Sequence, residues 1–156
     1  MEQKSGLLLL AFIIVSLAGC GGGGSHEPAA QGPSPEAQFM VLSGLPVGSL
    51  AAKQTTIISS QADYQTYWAA RLGSSATLPT VDFGQGQVLI ADMGIRSSTG
   101  NYIGVTSVSV SDSYVVANIK LTEPSFIAGA ALTAPAQVVY IPSRKEILIS
   151  EQVEFR

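Results

Sequence analysis

The sequence has very little of the chemistry on which most enzymes depend. It holds one cysteine, Cys20, and one histidine, His26, and both precede the part that has the pattern of a folded domain. A domain without these residues cannot build a Ser-His-Asp or Cys-His catalytic site or a zinc site of thiol and imidazole ligands. The Walker and dinucleotide glycine patterns are also missing. We therefore expect a protein that is not an enzyme and that needs no cofactor and no metal.

Charged residues are scarce as well, at 12% of the chain, and the formal net charge is −3. Because lysine and arginine form no basic cluster, nucleic acid is not an expected partner. The acidic residues stand singly rather than in the groups that a calcium site needs. Two of them could still meet in space as a glycosidase pair, so a hydrolase remains an alternative. The candidates are Asp63, Asp82, Asp92, Asp112 and Glu123.

The longest apolar run lies at the amino terminus. Residues 7–17 are apolar apart from Ser16, and they follow a short polar start that contains Lys4. Small residues then lead to Cys20. This layout is typical of a secretory signal peptide, which we predict over residues 1–19. The run is much shorter than the roughly 20 apolar residues that a transmembrane helix needs.

The last residues of this segment, Leu17-Ala18-Gly19-Cys20, closely resemble the lipobox of bacterial lipoproteins. In that family the signal peptide is cut before the cysteine, which then carries acyl chains. The resemblance implies a covalent lipid on Cys20 and a membrane-anchored protein of the cell envelope. It also explains a lone cysteine in an exported chain. Gly21 is not the aspartate that retains such proteins in the inner membrane, so in a host with two membranes we expect the outer membrane, facing the periplasm or the surface.

Glycine, proline, alanine and serine dominate residues 20–37, which we predict to be a flexible linker behind the lipidated cysteine. Residues 38–156 have the length of one domain with its own core. The hydrophobic content of 46% fits a folded domain rather than a disordered chain.

Hydrophobic patterning within this domain predicts several strands and one helix. The unbroken apolar run at 87–93 indicates a central strand covered on both faces. A change of phase in the next strand predicts a β-bulge near Thr106 and Ser107. We predict α+β, β-rich architecture: an antiparallel sheet or open sandwich with one packed helix. The apolar strand segments are 39–42, 55–58, 87–93, 102–110, 115–121, 138–141 and 147–155.

The single helix is predicted to begin after Ser60, with Asp63 completing a capping box, and to end at Gly73. Large side chains then recur at helical spacing on one face, which we expect to pack onto the sheet. These residues are Tyr64, Tyr67, Trp68 and Leu72.

We expect a binding site in the stretch 94–102, where two predicted strands bracket small polar residues, two glycines and an arginine. Gly94 would supply a backbone angle or a close approach. In the alternative interpretation the stretch is a hairpin connection without a role, with Tyr102 in the core and Arg96 paired to Asp92. We expect the Asp92 carboxylate either to pair with Arg96 or to face solvent. The candidate partner-binding residues are Arg96, Ser97, Ser98, Thr99, Gly100, Asn101 and Tyr102.

Several short segments follow one another in a recognisable order between residues 64 and 149. They are Tyr67-Trp68, the turn 79–83, the strand 88–90, the loop 94–102, Pro124, Thr133-Ala134-Pro135 and 138–142. This order resembles the C-terminal domain of PrcB-type protease-complex lipoproteins, whose loop reads Gly…Arg-Pro-Thr-Gly-Gly-Tyr. Ser98 stands here in place of that proline, and Asn101 in place of the second glycine. The resemblance implies an accessory lipoprotein that helps an extracytoplasmic protease mature or stay assembled.

Thr99-Gly100, followed by an aromatic residue on a loop between strands, is also similar to the inhibitory loop of chagasin-type cysteine-protease inhibitors. We therefore expect a non-catalytic, membrane-anchored binding or accessory lipoprotein whose partner is an envelope protein. The resemblance to PrcB-type lipoproteins implies that this partner is a protease. The alternative is a protease inhibitor that acts through residues 96–102.

Overall fold

The structure is a computed structural model that describes residues 36–42, 52–72, 77–125 and 129–156, apart from the side chain of Leu72. The predicted signal peptide, Cys20, most of the predicted linker and Gly73 lie outside these residues. The described residues belong to one compact unit, Gly32–Arg156. Within them, no helix has both the length and the apolar character to cross a bilayer.

Two sheets and one helix make up the described part of the chain. The elements are β1 (Met40–Val41), β2 (Gln54–Ile58), α1 (Gln61–Leu72), β3 (Gln87–Asp92), β4 (Tyr102–Val110), β5 (Tyr114–Glu123), β6 (Ala136–Ile141) and β7 (Glu146–Phe155). One sheet has the strand order β1-β6-β3-β2 and the other β4-β5-β7. The predicted α+β, β-rich sandwich with one packed helix is confirmed. It departs from the antiparallel prediction in one place, because β5 and β7 are parallel.

Strand β3 lies at the centre of the molecule, between β6 and β2, and all six of its residues are buried. Val88 and Ile90 pack in the cluster that includes α1, whereas Leu89 and Ala91 pack in the cluster shared with the three-stranded sheet. This arrangement explains the unbroken apolar run, since a strand covered on both faces has no solvent side on which to place polar residues. The prediction of a central strand is confirmed.

Helix α1 begins as its capping residues predict. The N–H of Asp63 donates to Oγ of Ser60 at 3.1 Å, and the Ser60 hydroxyl donates to the Asp63 carboxylate at 2.6 Å. Trp68 is only 2% exposed, and its ring centroid lies 5.3 Å from that of buried Tyr64. The packing of this aromatic face onto the four-stranded sheet is therefore confirmed.

Strands β4 and β5 form an antiparallel hairpin, with the predicted bulge between Val105 and Ser107. The apolar residues of β7 are buried only in part. Ile147 is buried in the core, but Val153 and Phe155, on the same face of the strand, are 52% and 68% exposed. Nothing in the described chain covers this last part of the face.

Candidate partner-binding loop

The loop between β3 and β4 carries most of the predicted site. Its two strands belong to different sheets, so the chain crosses here from the four-stranded to the three-stranded sheet. The connection between β3 and β4 is therefore not a hairpin. A crossing of this kind places the loop at the end of the sandwich, where both sheets can support it.

Asp92 fixes the start of the loop. This last residue of β3 is fully buried, and its Oδ1 accepts a hydrogen bond from the Gly94 N–H at 2.7 Å. Its Oδ2 lies 3.2 Å from Nη1 of Arg71, in the last turn of α1. The expectation that Asp92 pairs with Arg96 or faces solvent is wrong, because the carboxylate is removed from water and paired with a cation of the helix.

Gly94 is required at its position for two reasons. Its φ angle is 73°, in the left-handed region that residues with a side chain rarely adopt. A Cβ atom there would also lie 2.6 Å from the carbonyl carbon of Ala52. The predicted need for glycine, through both a backbone angle and a close approach, is confirmed.

A second stretch of chain, just before β6, braces the loop through backbone hydrogen bonds. The Arg96 N–H donates to the Thr133 carbonyl at 2.8 Å, and the Thr133 N–H donates to the Arg96 carbonyl at 2.9 Å. The Thr99 N–H donates to the Gly129 carbonyl at 3.1 Å. The Thr133 hydroxyl donates to the Ser98 carbonyl at 2.9 Å. The backbone of the loop is thus tied to a neighbouring segment along most of its length.

The turn at the tip is closed from inside by Asn101. Its Nδ2 donates to the carbonyl of Ser98 at 2.8 Å and lies 3.1 Å from the Ser98 hydroxyl. Between them Gly100 has a φ angle of 85°. Asn101 therefore acts first on the shape of the loop, since its donor group is already engaged within it.

Ile95, Ser97 and Tyr102 are the exposed side chains of the loop, and Arg96 is partly exposed. Tyr102 is 49% exposed, and its ring lies over Gly104 on the outer face of the sheet instead of in the core. The Nη2 atom of Arg96 lies 3.9 Å from Oε1 of Glu123, and both side chains are partly exposed. A partly solvated pair at this distance contributes little stability, so the Arg96 donors remain accessible to a partner.

A shallow hollow of about 320 Å³ lies beside the loop. The guanidinium of Arg96 offers hydrogen-bond donors at its edge, and the carboxylate of Glu123 offers acceptors. The hollow therefore suits a polar side chain from another protein. The hollow is lined by Arg96, Ser98, Asn101, Glu123 and Pro124.

The other acidic candidates are placed by local structure. Asp63 caps α1, and Asp82 accepts the Gly84 N–H at 2.8 Å in the turn before β3. Asp112 lies in the β4–β5 hairpin, exposed to solvent. In the ranges that the structure describes, no three His, Cys, Asp or Glu residues gather where they could hold a metal ion.

Sequence reasoning missed the part that Arg71 plays at this site. Arg71 follows Tyr67 by four residues and so lies on the apolar face of α1, where its guanidinium carbon sits 4.1 Å above the Tyr67 ring. A buried cation on a packed helix face is generally paired with an acidic group. Asp92 lies at the end of the most apolar strand, so its position was the signal that could have identified the pair. The contribution of Gly129 and Thr133 had no such signal, because they lie about 30 residues beyond the loop.

Comparison with protein-family models, with curated proteins and with solved structures gives no match.

Proposed function

We propose that this protein is a non-catalytic accessory lipoprotein of the cell envelope, anchored to a membrane through lipid on Cys20. Its domain binds an envelope protein partner through the loop 96–102. The partner that we favour is an extracytoplasmic protease, whose maturation or assembly the domain assists. In a host with two membranes the proposed location is the outer membrane, with the domain facing the periplasm or the surface.

The anchoring half of the proposal depends on the amino-terminal sequence. The lipobox-like residues before Cys20 and the following stretch rich in glycine and proline together describe a lipid anchor with a flexible tether. A tether of this kind keeps the domain close to the membrane while allowing it to turn toward a partner.

The observation that carries the binding half is the bracing of the loop. Backbone bonds to Thr133 and Gly129, and the Asp92 carboxylate at its start, hold the loop while Arg96 and Tyr102 remain accessible. A loop that is fixed before binding loses less conformational entropy in the complex. Arginine and tyrosine are also the residue types that most often dominate the binding energy of an interface.

The resemblance to PrcB-type lipoproteins supports the choice of a protease as partner. It rests on the loop residues and on the order of segments from Tyr67 to Pro142. Most of those segments lie in the sheet–helix layer and in the braced loop, so the similarity involves the region that we propose to bind.

The test of this function is the effect of the chain on an extracytoplasmic protease of its own host. Deleting the gene should lower the amount of mature protease, and restoring the full chain should recover it. Adding purified chain to the already mature protease should leave its rate of substrate cleavage unchanged. A protease yield that is the same with and without the chain would contradict the proposal.

The same experiment separates the inhibitor alternative. An inhibitor that inserts the loop 96–102 into a protease would reduce the cleavage rate of the mature enzyme in proportion to the amount added. That result, abolished by substituting Arg96 and Tyr102, would replace the accessory role by inhibition through the same loop.

A further inference from the structure

Strand β7 is the longest open strand edge in the described residues. It has ten residues, and its only strand neighbour there is β5, so its other edge is open. By contrast, the outer edge of β4 is partly engaged, since Ala37 donates to the Val108 carbonyl at 2.8 Å and Gln137 accepts the Val105 N–H at 2.6 Å. On an open edge every second residue points its N–H and C=O away from the sheet, which makes β7 a template for another strand.

The two most exposed apolar residues of β7 lie on its inward face. Val153 and Phe155 share that face with Ile147 and Ile149, which pack in or against the core. Two apolar side chains more than half exposed beside a core are unusual on an edge strand, because natural edges are generally kept polar or charged. Their position points to a strand that would cover them.

Glu151 is the one charged residue on this face, and its charge is already compensated. Its carboxylate forms an ion pair with Lys53, and the Thr55 hydroxyl lies 3.4 Å from its Oε1. A free inward carboxylate would protect an edge from pairing. A carboxylate that is paired with an ammonium group of the same chain protects the edge much less, because the pair as a whole carries no net charge to repel a second strand.

The strand is complementary to itself in one antiparallel register. When Glu151 lies opposite Glu151 of a second copy, Phe155 falls opposite Ile147, and Val153 falls opposite Ile149. On the outer face the same register places Arg156, whose guanidinium also pairs with Glu154 of its own chain at 3.2 Å, opposite Glu146. Every residue of β7 then has a partner, and residues of one face meet residues of the same face, as a twofold axis requires.

Neighbouring registers of the same parity are worse. A shift of two residues in one direction places the Glu151 carboxylate opposite the apolar Ile149 on the inward face. A shift in the other direction places the Glu151 carboxylate opposite the apolar Val153. The charges and the apolar residues of β7 thus favour the register centred on Glu151.

We propose that two copies of this chain associate by antiparallel pairing of their β7 strands about a twofold axis at Glu151. The two three-stranded sheets become one continuous sheet, and the two Lys53–Glu151 pairs surround the axis with alternating charge. Val153 and Phe155 are covered by Ile149 and Ile147 of the second copy. This association is independent of the loop 96–102.

Cysteine cross-linking of the full chain in membranes tests the register directly. In Glu151→Cys the two thiols meet at the axis, and we expect a covalent dimer on mild oxidation. In Phe155→Cys the two thiols would lie about 27 Å apart, eight residues along the strand, and we expect no dimer. The unsubstituted chain controls for Cys20. A dimer band of equal strength for both variants, or one for Phe155→Cys alone, would overturn the register.

A mixed pair keeps the test decisive if Glu151→Cys disturbs the axis. Leu148 faces Glu154 of the second copy, so Leu148→Cys and Glu154→Cys should cross-link when the two chains are co-expressed. In a dimer of two Leu148→Cys chains, or of two Glu154→Cys chains, the two thiols lie about 20 Å apart and should not cross-link. Absence of the mixed product together with absence of the Glu151→Cys product would overturn the proposal.

Charge reversal provides an independent measurement in purified full chain by sedimentation. Glu146→Arg and Arg156→Glu each set like charges opposite each other at two symmetric places, and each should raise the dimer dissociation constant roughly tenfold. The double variant restores the opposite pairing and should return the constant to within about twofold of the original. A chain that sediments as a monomer at every concentration reached would overturn the proposal.

Discussion

The phenol of Tyr67 is the most strongly perturbed group in the described residues. Burial raises its pKa to about 12 from the ordinary value of 10.0, with Arg71 lowering it and Asp92 raising it. Its hydroxyl has no hydrogen-bond partner among the described residues. The folded chain thus holds the proton more tightly than the unfolded chain does. The stability linked to this group is therefore fully present below about pH 10 and is lost as the pH rises through about 12.

Tyr67→Phe should therefore flatten the alkaline end of the stability profile. Near neutral pH we expect the variant to be at least as stable as the wild type, because it removes a buried hydroxyl without a partner. Between about pH 10 and 12 it should lose less stability than the wild type. Urea unfolding of both chains at several pH values measures this. Deprotonation of lysines affects both alike, so equal alkaline losses would contradict the assignment.

The buried pair of Arg71 and Asp92 makes a second residue-scale prediction. Removing one partner leaves the other charge uncompensated in the interior, and Arg71→Met should lower the free energy of unfolding by about 3–5 kcal/mol. The double variant Arg71→Met, Asp92→Asn leaves no charge behind and keeps an acceptor for Gly94. It should recover a large part of that loss. Strictly additive effects in denaturant unfolding would show that the two side chains do not act together.

At the scale of elements, the packing of α1 depends on Trp68. Trp68→Ala should lower the free energy of unfolding by roughly 3–5 kcal/mol, because it removes the largest fully buried side chain from the contact between helix and sheet. Gln65→Ala, on the exposed side of the same helix, is the matched control and should change stability by less than about 0.5 kcal/mol. A Trp68→Ala variant as stable as this control would refute the packing described above.

The elements also show how far the sequence could predict the fold. Alternation and apolar runs identified the strands, because the pleat forces side chains to opposite faces. The phase change in β4 located its bulge, and Ser60 with Asp63 located the start of α1. The pattern could not reveal that β3 and β4 belong to different sheets or that β7 runs parallel to β5, since pairing is decided by contacts between segments far apart in the chain.

The position of the candidate site could be predicted from the sequence, but the residues that support it could not. The two glycines, the arginine and the turn residues marked the loop from Gly94 to Tyr102, because each has a local conformational or chemical requirement. The supports of the loop were not visible locally. Arg71 lies on a helix, and Thr133 approaches from a segment that follows β5, so only the folded chain brings them to Asp92 and Arg96.

At the scale of the whole molecule, the proposal requires that Cys20 carries the anchor. Several acyl chains on one residue hold a protein firmly, since each buried CH₂ contributes about 0.8 kcal/mol. Cys20→Ala should accumulate as an uncut precursor that incorporates no labelled fatty acid. Ser25→Ala, in the predicted linker, should be processed and labelled as the wild type is. Equal labelling of Cys20→Ala would exclude lipid attachment at this residue.

We propose that the loop 96–102 is the main partner-binding surface, and capture of the partner from solubilised membranes measures its contribution. The full chain is compared with two single variants of the loop, Arg96→Ala and Tyr102→Ala. Two single variants at other exposed positions, Arg144→Ala and Tyr114→Ala, are the matched controls. Each loop substitution should weaken capture by about 1–2 kcal/mol while the melting temperature stays nearly unchanged. The matched controls should capture as the wild type does. A folded loop variant that captures as much partner as the wild type would contradict the claim.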